Sequence, residues 1–82
     1  MEHVEIWGKG EAHVRLVRTY VNPGNYEFCV RAASPNAESK SAAKELNGMA
    51  QSLRRLGVTE RHLIVTLAHV LADAKGWGLI DY

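Results

Sequence analysis

A chain of 82 residues, 46% of them apolar, makes one small domain, too short to divide and too apolar to remain disordered. Its formal net charge of +1 and pI near 8.0 exclude a polybasic tail or an acidic arm, although patches of one sign survive inside a neutral total. No uncharged apolar run approaches the roughly 18 residues of a membrane span, the first residues alternate in polarity instead of forming a basic-then-apolar leader, and the single Cys29 cannot close an internal disulfide. The expectation is a soluble, cytoplasmic protein.

Residues 3–7 alternate loosely, and Gly8-Lys9-Gly10-Glu11 then supplies the glycines of a tight turn. Residues 12–21 are rich in β-branched and aromatic side chains and predict a second strand. Asn22-Pro23-Gly24-Asn25 predicts a type II turn, with Pro fixing φ at the second position and Gly accepting a positive φ at the third. Residues 26–33 complete an antiparallel meander. Two-residue loops would pair Gly8 with Glu11 and Asn22 with Asn25. That register gathers Val4, Ile6, Val17, Thr19, Val21, Tyr26, Phe28 and Val30 as the expected core face. The opposite face then carries His3, Glu5, Trp7, Ala12, Val14, Leu16, Arg18, Tyr20, Glu27, Cys29 and Arg31. Leu16 and Val17 are adjacent apolar residues, so a bulge near them would shift part of this assignment.

Ser34-Pro35-Asn36 closes the sheet and prepares a helix over residues 37–56, with Ser or Asn as its cap. Ala42, Ala43, Leu46, Met49, Ala50, Leu53 and Leu56 fall in an arc of roughly 140°. Gly48 lies on the polar side, at a cost of ~1 kcal/mol against Ala. Gly57 is a left-handed stop, and Thr59 caps a second helix over residues 59–75. That helix is apolar over roughly 220° of its circumference, where a surface helix needs only ~100°, so it demands cover on two sides. Only His62, Thr66, His69 and Asp73 form a polar stripe. After Gly76, the large side chains of Trp77, Leu79, Ile80 and Tyr82 predict a docked tail, either a short fourth strand or a clasp over the sheet. The fold class is α+β: residues 1–82 as a single domain, an antiparallel three- or four-stranded meander followed by an α-helical hairpin packed on one face.

Three constellations compete for function. His62 and His69 stand ~10.5 Å apart along the helix, too far to share a zinc ion. His69 and Asp73 have the spacing for a carboxylate to orient an imidazole, which makes a small enzyme one alternative, but no nucleophile can be linked to them. Cys29 lacks an activator and reads as a small buried hydrophobe. On the first helix Lys40, Lys44, Asn47, Gln51, Arg54 and Arg55 form a basic strip, and Lys40, Lys44, Arg54 and Arg55 are candidate phosphate contacts for a nucleic acid. On the second sheet face an apolar patch rimmed by charge offers Trp7, Arg18, Tyr20 and Arg31 as partner-binding residues, since aromatics and arginine concentrate binding energy at interfaces. The simplest counter-reading has the tail covering that face.

GxxxxGK, GxGxxG and paired CxxC are all absent, so nucleotide and structural zinc binding have no positive support, and no catalytic residue, metal site or cofactor is assigned. A helix too apolar for a single cover and a sheet with an unclean second face point together to association, most simply a twofold homodimer. The expected function is a non-enzymatic small binding protein acting through protein–protein contact, as a regulator or inhibitor does, with nucleic-acid binding as the alternative.

Overall fold

Alternating side chains and two tight turns give the first half of the chain its sheet; the computed structural model describes residues 2–22 and 25–81. Strands β1 (Glu2–Lys9), β2 (Ala12–Asn22) and β3 (Asn25–Ala32) precede helices α1 (Ala37–Arg55) and α2 (Glu60–His69), a π-helical turn (Val70–Ala74) and strand β4 (Gly78–Asp81). All neighbours in the sheet are antiparallel, in the order β3-β2-β1-β4. The expected α+β class is therefore what forms, and the tail is a fourth strand on the free side of β1. The expected Pro23-Gly24 turn centre and Tyr82 lie outside the described residues.

Register decides which side chains meet the helices, and both hairpins depart from the expected one. In the first, Lys9 pairs with Ala12, so the loop is Gly10-Glu11 and not Lys9-Gly10. Gly10 has φ +62°, and a two-residue loop with positive φ at its first central position needs glycine there. In the second, Asn22 pairs with Asn25 as expected, but the ladder slips between Tyr20 and Asn22, after which Tyr20 faces Tyr26, Arg18 faces Phe28 and Leu16 faces Val30. A slip of one residue moves a whole strand to the other face. Tyr26, Phe28 and Val30 thereby join Trp7, Val14 and Leu16, not Val4, Ile6 and Val17.

The expected core face is thus inverted for β1 and β2. Trp7, Ala12, Val14, Leu16, Phe28 and Val30 are buried with Ala42, Ala43, Leu46, Ala50, Leu63, Leu67, Leu71 and Trp77. Val21, in the slip, is 60% exposed. Both helices cover this one face. From α1 come Ala42, Ala43, Leu46 and Ala50, from α2 and its π turn Leu63, Leu67 and Leu71. Leu56, expected inside, is 79% exposed just past the end of α1, and Val65 on α2 is 49% exposed. The second helix therefore keeps part of its apolar surplus at the surface.

Local sequence explains the helix ends. The Asn36 side chain accepts from the Ser39 N–H, and Thr59 Oγ1 accepts from the His62 N–H, so each helix has a side-chain N-cap. The residues 59–75 do not form one uniform α-helix: the Lys75 N–H donates to the Val70 carbonyl at 3.1 Å, five residues back. Leu71 keeps its place in the core, and its carbonyl accepts from the Trp77 N–H at 2.8 Å, which feeds the tail back under the helix. Ser39, fully buried, accepts from the His13 N–H at 2.9 Å, as does Ser34 Oγ, and so ties α1 to the end of β2.

Helix α1 also closes the outer edge of the sheet. Asn47 accepts from the Val30 N–H at 3.1 Å, Gln51 donates to the Phe28 carbonyl at 2.9 Å, and Arg54 donates to the Tyr26 carbonyl at 2.9 Å. These are three outward-pointing backbone groups of β3, and side chains at i, i+4 and i+7 of one helix satisfy them. A free strand edge invites pairing with other chains, so the capping removes a hazard.

Two glycines give the same substitution opposite signs. A Cβ on Gly8 would lie 2.7 Å from the Ala12 carbonyl oxygen and 2.8 Å from Ile80 Cδ1, whereas one on Gly48 would meet nothing within 4 Å. Urea unfolding should show Gly8→Ala destabilised by about 1–3 kcal/mol and Gly48→Ala stabilised by about 0.5–1 kcal/mol.

Candidate functional site

The face of the sheet turned away from both helices has no covering element among the described residues. Its composition follows from the register. Glu2 pairs with Thr19, which pairs with Glu27; Val4 with Val17, which pairs with Cys29; Ile6 with Arg15, which pairs with Arg31. Three cross-strand rows result across β1, β2 and β3: an acidic one, an apolar one and a basic one, the last meeting Asp81 of β4 on the far side of Ile6. Val4, Ile6, Val17 and Cys29 are half-buried, while Glu2, Arg15, Glu27 and Arg31 are exposed. The middle of this face is an open depression of about 370 Å³ lined by residues of all three rows. Beyond the basic row, Ile80 of β4 is 55% exposed and lies over Gly8 beside the His13 ring.

The electrostatics of this face are unbalanced locally. Arg15 and Arg31 are directly opposed on neighbouring strands, an unfavourable like-charge arrangement. Among the described residues neither makes an ion pair, and neither do Glu2 or Glu27.

The residues expected to bind a partner are not brought together. Trp7, 8% exposed, is part of the core, with its indole N–H donating to Glu5 Oε1 at 3.2 Å. Arg18 and Tyr20 share its face, where the helix roof ends. Arg18 reaches Glu5 Oε2 at 3.1 Å and Glu60 Oε1 at 3.6 Å, so one guanidinium joins β2, β1 and the first turn of α2. Its Nε is buried without a hydrogen-bond partner among the described residues. The Tyr20 hydroxyl donates to Glu60, and the His3 ring meets Tyr20 edge-on at 5.7 Å. Arg31 alone of the four lies on the open face.

The basic strip of α1 is partly consumed by structure. Arg54 caps β3 and its guanidinium stacks 4.9 Å over the Tyr26 ring, and Arg55 donates to the Gln51 carbonyl at 3.4 Å. Lys40 and Lys44 project into solvent. His69 and Asp73 do contact each other, at 3.1 Å, but their side chains are 72% and 76% exposed, so solvent screens the pair and nothing encloses it. Cys29 is half-buried on the open face, not in the core. No three His, Cys, Asp or Glu side chains among the described residues converge to hold a metal ion, and no described helix is long and apolar enough to cross a membrane.

The sequence placed Glu27, Cys29 and Arg31 on the second face, where they lie, but counted Val4 and Val17 as core and gave Glu2 and Arg15 no face. A usable signal was present in Arg15, which shares parity with Val17 at the middle of the longest strand. A cation there, with no acid opposite it, is incompatible with a helix roof. No family model, curated protein or solved structure matches the chain. The class of protein is set by architecture alone: a small α+β domain with one roofed and one bare sheet face.

The bond from Tyr20 to Glu60 raises the phenol above the ordinary tyrosine pKa, helped by the carboxylate charge and opposed by Arg18. The protonated phenol is the donor, so this stabilisation holds below the unfolded value of ~10 and is lost as pH rises through the raised folded-state value. Spectrophotometric titration should show a late-ionising tyrosine in the native protein that is absent from Tyr20→Phe.

Proposed function

We propose that this chain is a non-enzymatic binding protein that works by occupying a surface of a protein partner, as a small regulator or inhibitor does, and that it docks through the bare face of its sheet. One observation carries the reading: a half-buried apolar row, Val4-Val17-Cys29, lies at the surface between charged rows with no element of the described chain over it. An apolar centre with a polar rim is how protein interfaces are built. The aromatics Trp7, Tyr26 and Phe28 lie on the roofed face, so among the described residues the three rows of the bare one present no Phe, Tyr or Trp on which single-stranded bases could stack, and its acidic row repels phosphate.

The competing reading, a nucleic-acid surface on Lys40, Lys44, Arg54 and Arg55, is weakened by the engagement of Arg54 and Arg55 with backbone carbonyls. It predicts a shift of generic DNA or RNA at low salt that fades as salt rises. An enzyme built on His69 and Asp73 would need an enclosed site, and this pair stands in solvent.

Two charge insertions separate the sheet face from the exposed stripe of α2. Val17→Lys should weaken capture of the native partner more than tenfold, a change of ~1.4 kcal/mol or more, while Val65→Lys leaves it unchanged. Capture assays on host extract with both variants, checked for native circular dichroism, read the difference. Loss on Val65→Lys with Val17→Lys unaffected would overturn the assignment to the sheet.

A further inference from the structure

The order of the three rows fixes more than the presence of an interface. Successive rows lie two residues apart along the strands, about 6.7 Å, so acidic and basic rows are about 13 Å apart with the apolar row midway. A twofold axis laid along the apolar row, in the plane of contact, turns the face over and exchanges its ends. The acidic row of one copy then lies on the basic row of the other. Val4, Val17 and Cys29 pack on their own counterparts.

We infer that the bare sheet face pairs with a second copy of this chain about such an axis, acidic row on basic row. Position across the strands is conserved by the operation, so Glu27 of one copy faces Arg31 of the other. Arg15, on the strand between β1 and β3, is offset sideways by one strand spacing, about 4.8 Å, from both the Glu2 and the Glu27 positions of the opposite copy, a gap its long side chain spans. This supplies both arginines with carboxylates that neither pairs with among the described residues, and relieves their direct opposition. Of the two in-plane axes, across the strands and along them, only the first makes the surface complementary to itself. Two copies rotated about an axis parallel to the strands would place acid on acid and base on base. An isologous contact requires that one patch be its own complement, and this one is.

The inference rests on the proposal that this face binds protein, and names the partner. A charge-swap experiment tests it. Sedimentation equilibrium of the wild-type chain should give a dimer. Arg15→Glu/Arg31→Glu places acid against acid and Glu2→Arg/Glu27→Arg places base against base, so each variant alone should be monomeric, with self-association weakened at least about tenfold. Mixed in equal amounts the two should recover a heterodimer, since every row again meets its opposite. Native circular dichroism of each variant separates loss of pairing from loss of fold. A monomeric wild type, variants that still dimerise alone, or a mixture that stays monomeric would each overturn the inference. Should the wild type be monomeric while Val17→Lys still abolishes capture of a host protein, the self-pairing fails and the binding face stands. If Val17→Lys changes neither, both fail.

Discussion

A sheet offers two faces, and the helical layer of this chain, α1 with α2 and its π turn, is spent on one of them. Which side chains lie beneath it is set where the β2–β3 ladder slips between Tyr20 and Asn22. Because side chains alternate with a period of two, that single extra residue aligns Phe28 and Val30 with Leu16 and Val14 beneath the helices, and leaves Val17 with Cys29 outside. The fully buried Leu16, Leu46, Leu63, Leu67 and Leu71 then form one continuous apolar layer between sheet and helices. Were the ladder regular, Phe28 and Val30 would face away from Leu16, and the helices would roof Arg31 and Glu27. Burying those charges unpaired costs more than any packing there returns.

Where the roof stops, charge takes over from packing. Arg18 and Tyr20 continue the inward parity of β2 beyond Leu16, and at that end the first turn of α2 brings Glu60 over them. Glu60 suits the positive end of the helix dipole as well as the guanidinium. Arg18 thereby links β1 through Glu5 and α2 through Glu60, and its partial burial is tolerable because two carboxylates attend it. At the opposite end Ser34 and Ser39 converge on the His13 N–H, and Lys75 bonds Glu45 at 2.9 Å to hold the π turn against α1. Polar contacts thus fix the ends of the helical layer, and apolar burial fixes its middle.

Most elements were legible because local chemistry marks them. Asn36 and Thr59 cap as their side chains predict, Gly57 and Gly76 stop helices with φ of +82° and +71°, and the tail docks because Trp77 has core to enter. The facing of the sheet was not legible from hydrophobicity, because both parities of β2 carry apolar residues: Ala12, Val14 and Leu16 on one side, Val17 and Val21 on the other. Turn chemistry alone gave the Asn22–Asn25 pairing and no sign of the slip beside it. Burial of Trp7 followed from the same inversion, which is why Trp7, Arg18 and Tyr20 looked like a binding surface from the sequence and prove to be core and its charged margin. The basic strip of α1 misled for another reason: spacing reveals that Asn47, Gln51 and Arg54 share a face, but only the position of β3 shows that this face caps a strand edge.

The two edges and the bare face pose different risks of unwanted association. Side chains of α1 occupy the β3 edge, and β4, with only 4 residues, leaves a short free edge on the other side. Short or covered edges are poor templates for adding strands. The open face is therefore the larger surface left for contact, and its charges distinguish it from a greasy patch. Apolar side chains at every position would promote indiscriminate stacking. A central apolar row flanked by acid on one side and base on the other rejects most approaches through like-charge contact, and keeps the lone subunit hydrated while favouring one alignment. In the proposed pairing with a second copy, the Arg15–Arg31 opposition, a small penalty inside the subunit, is the feature that would set the orientation.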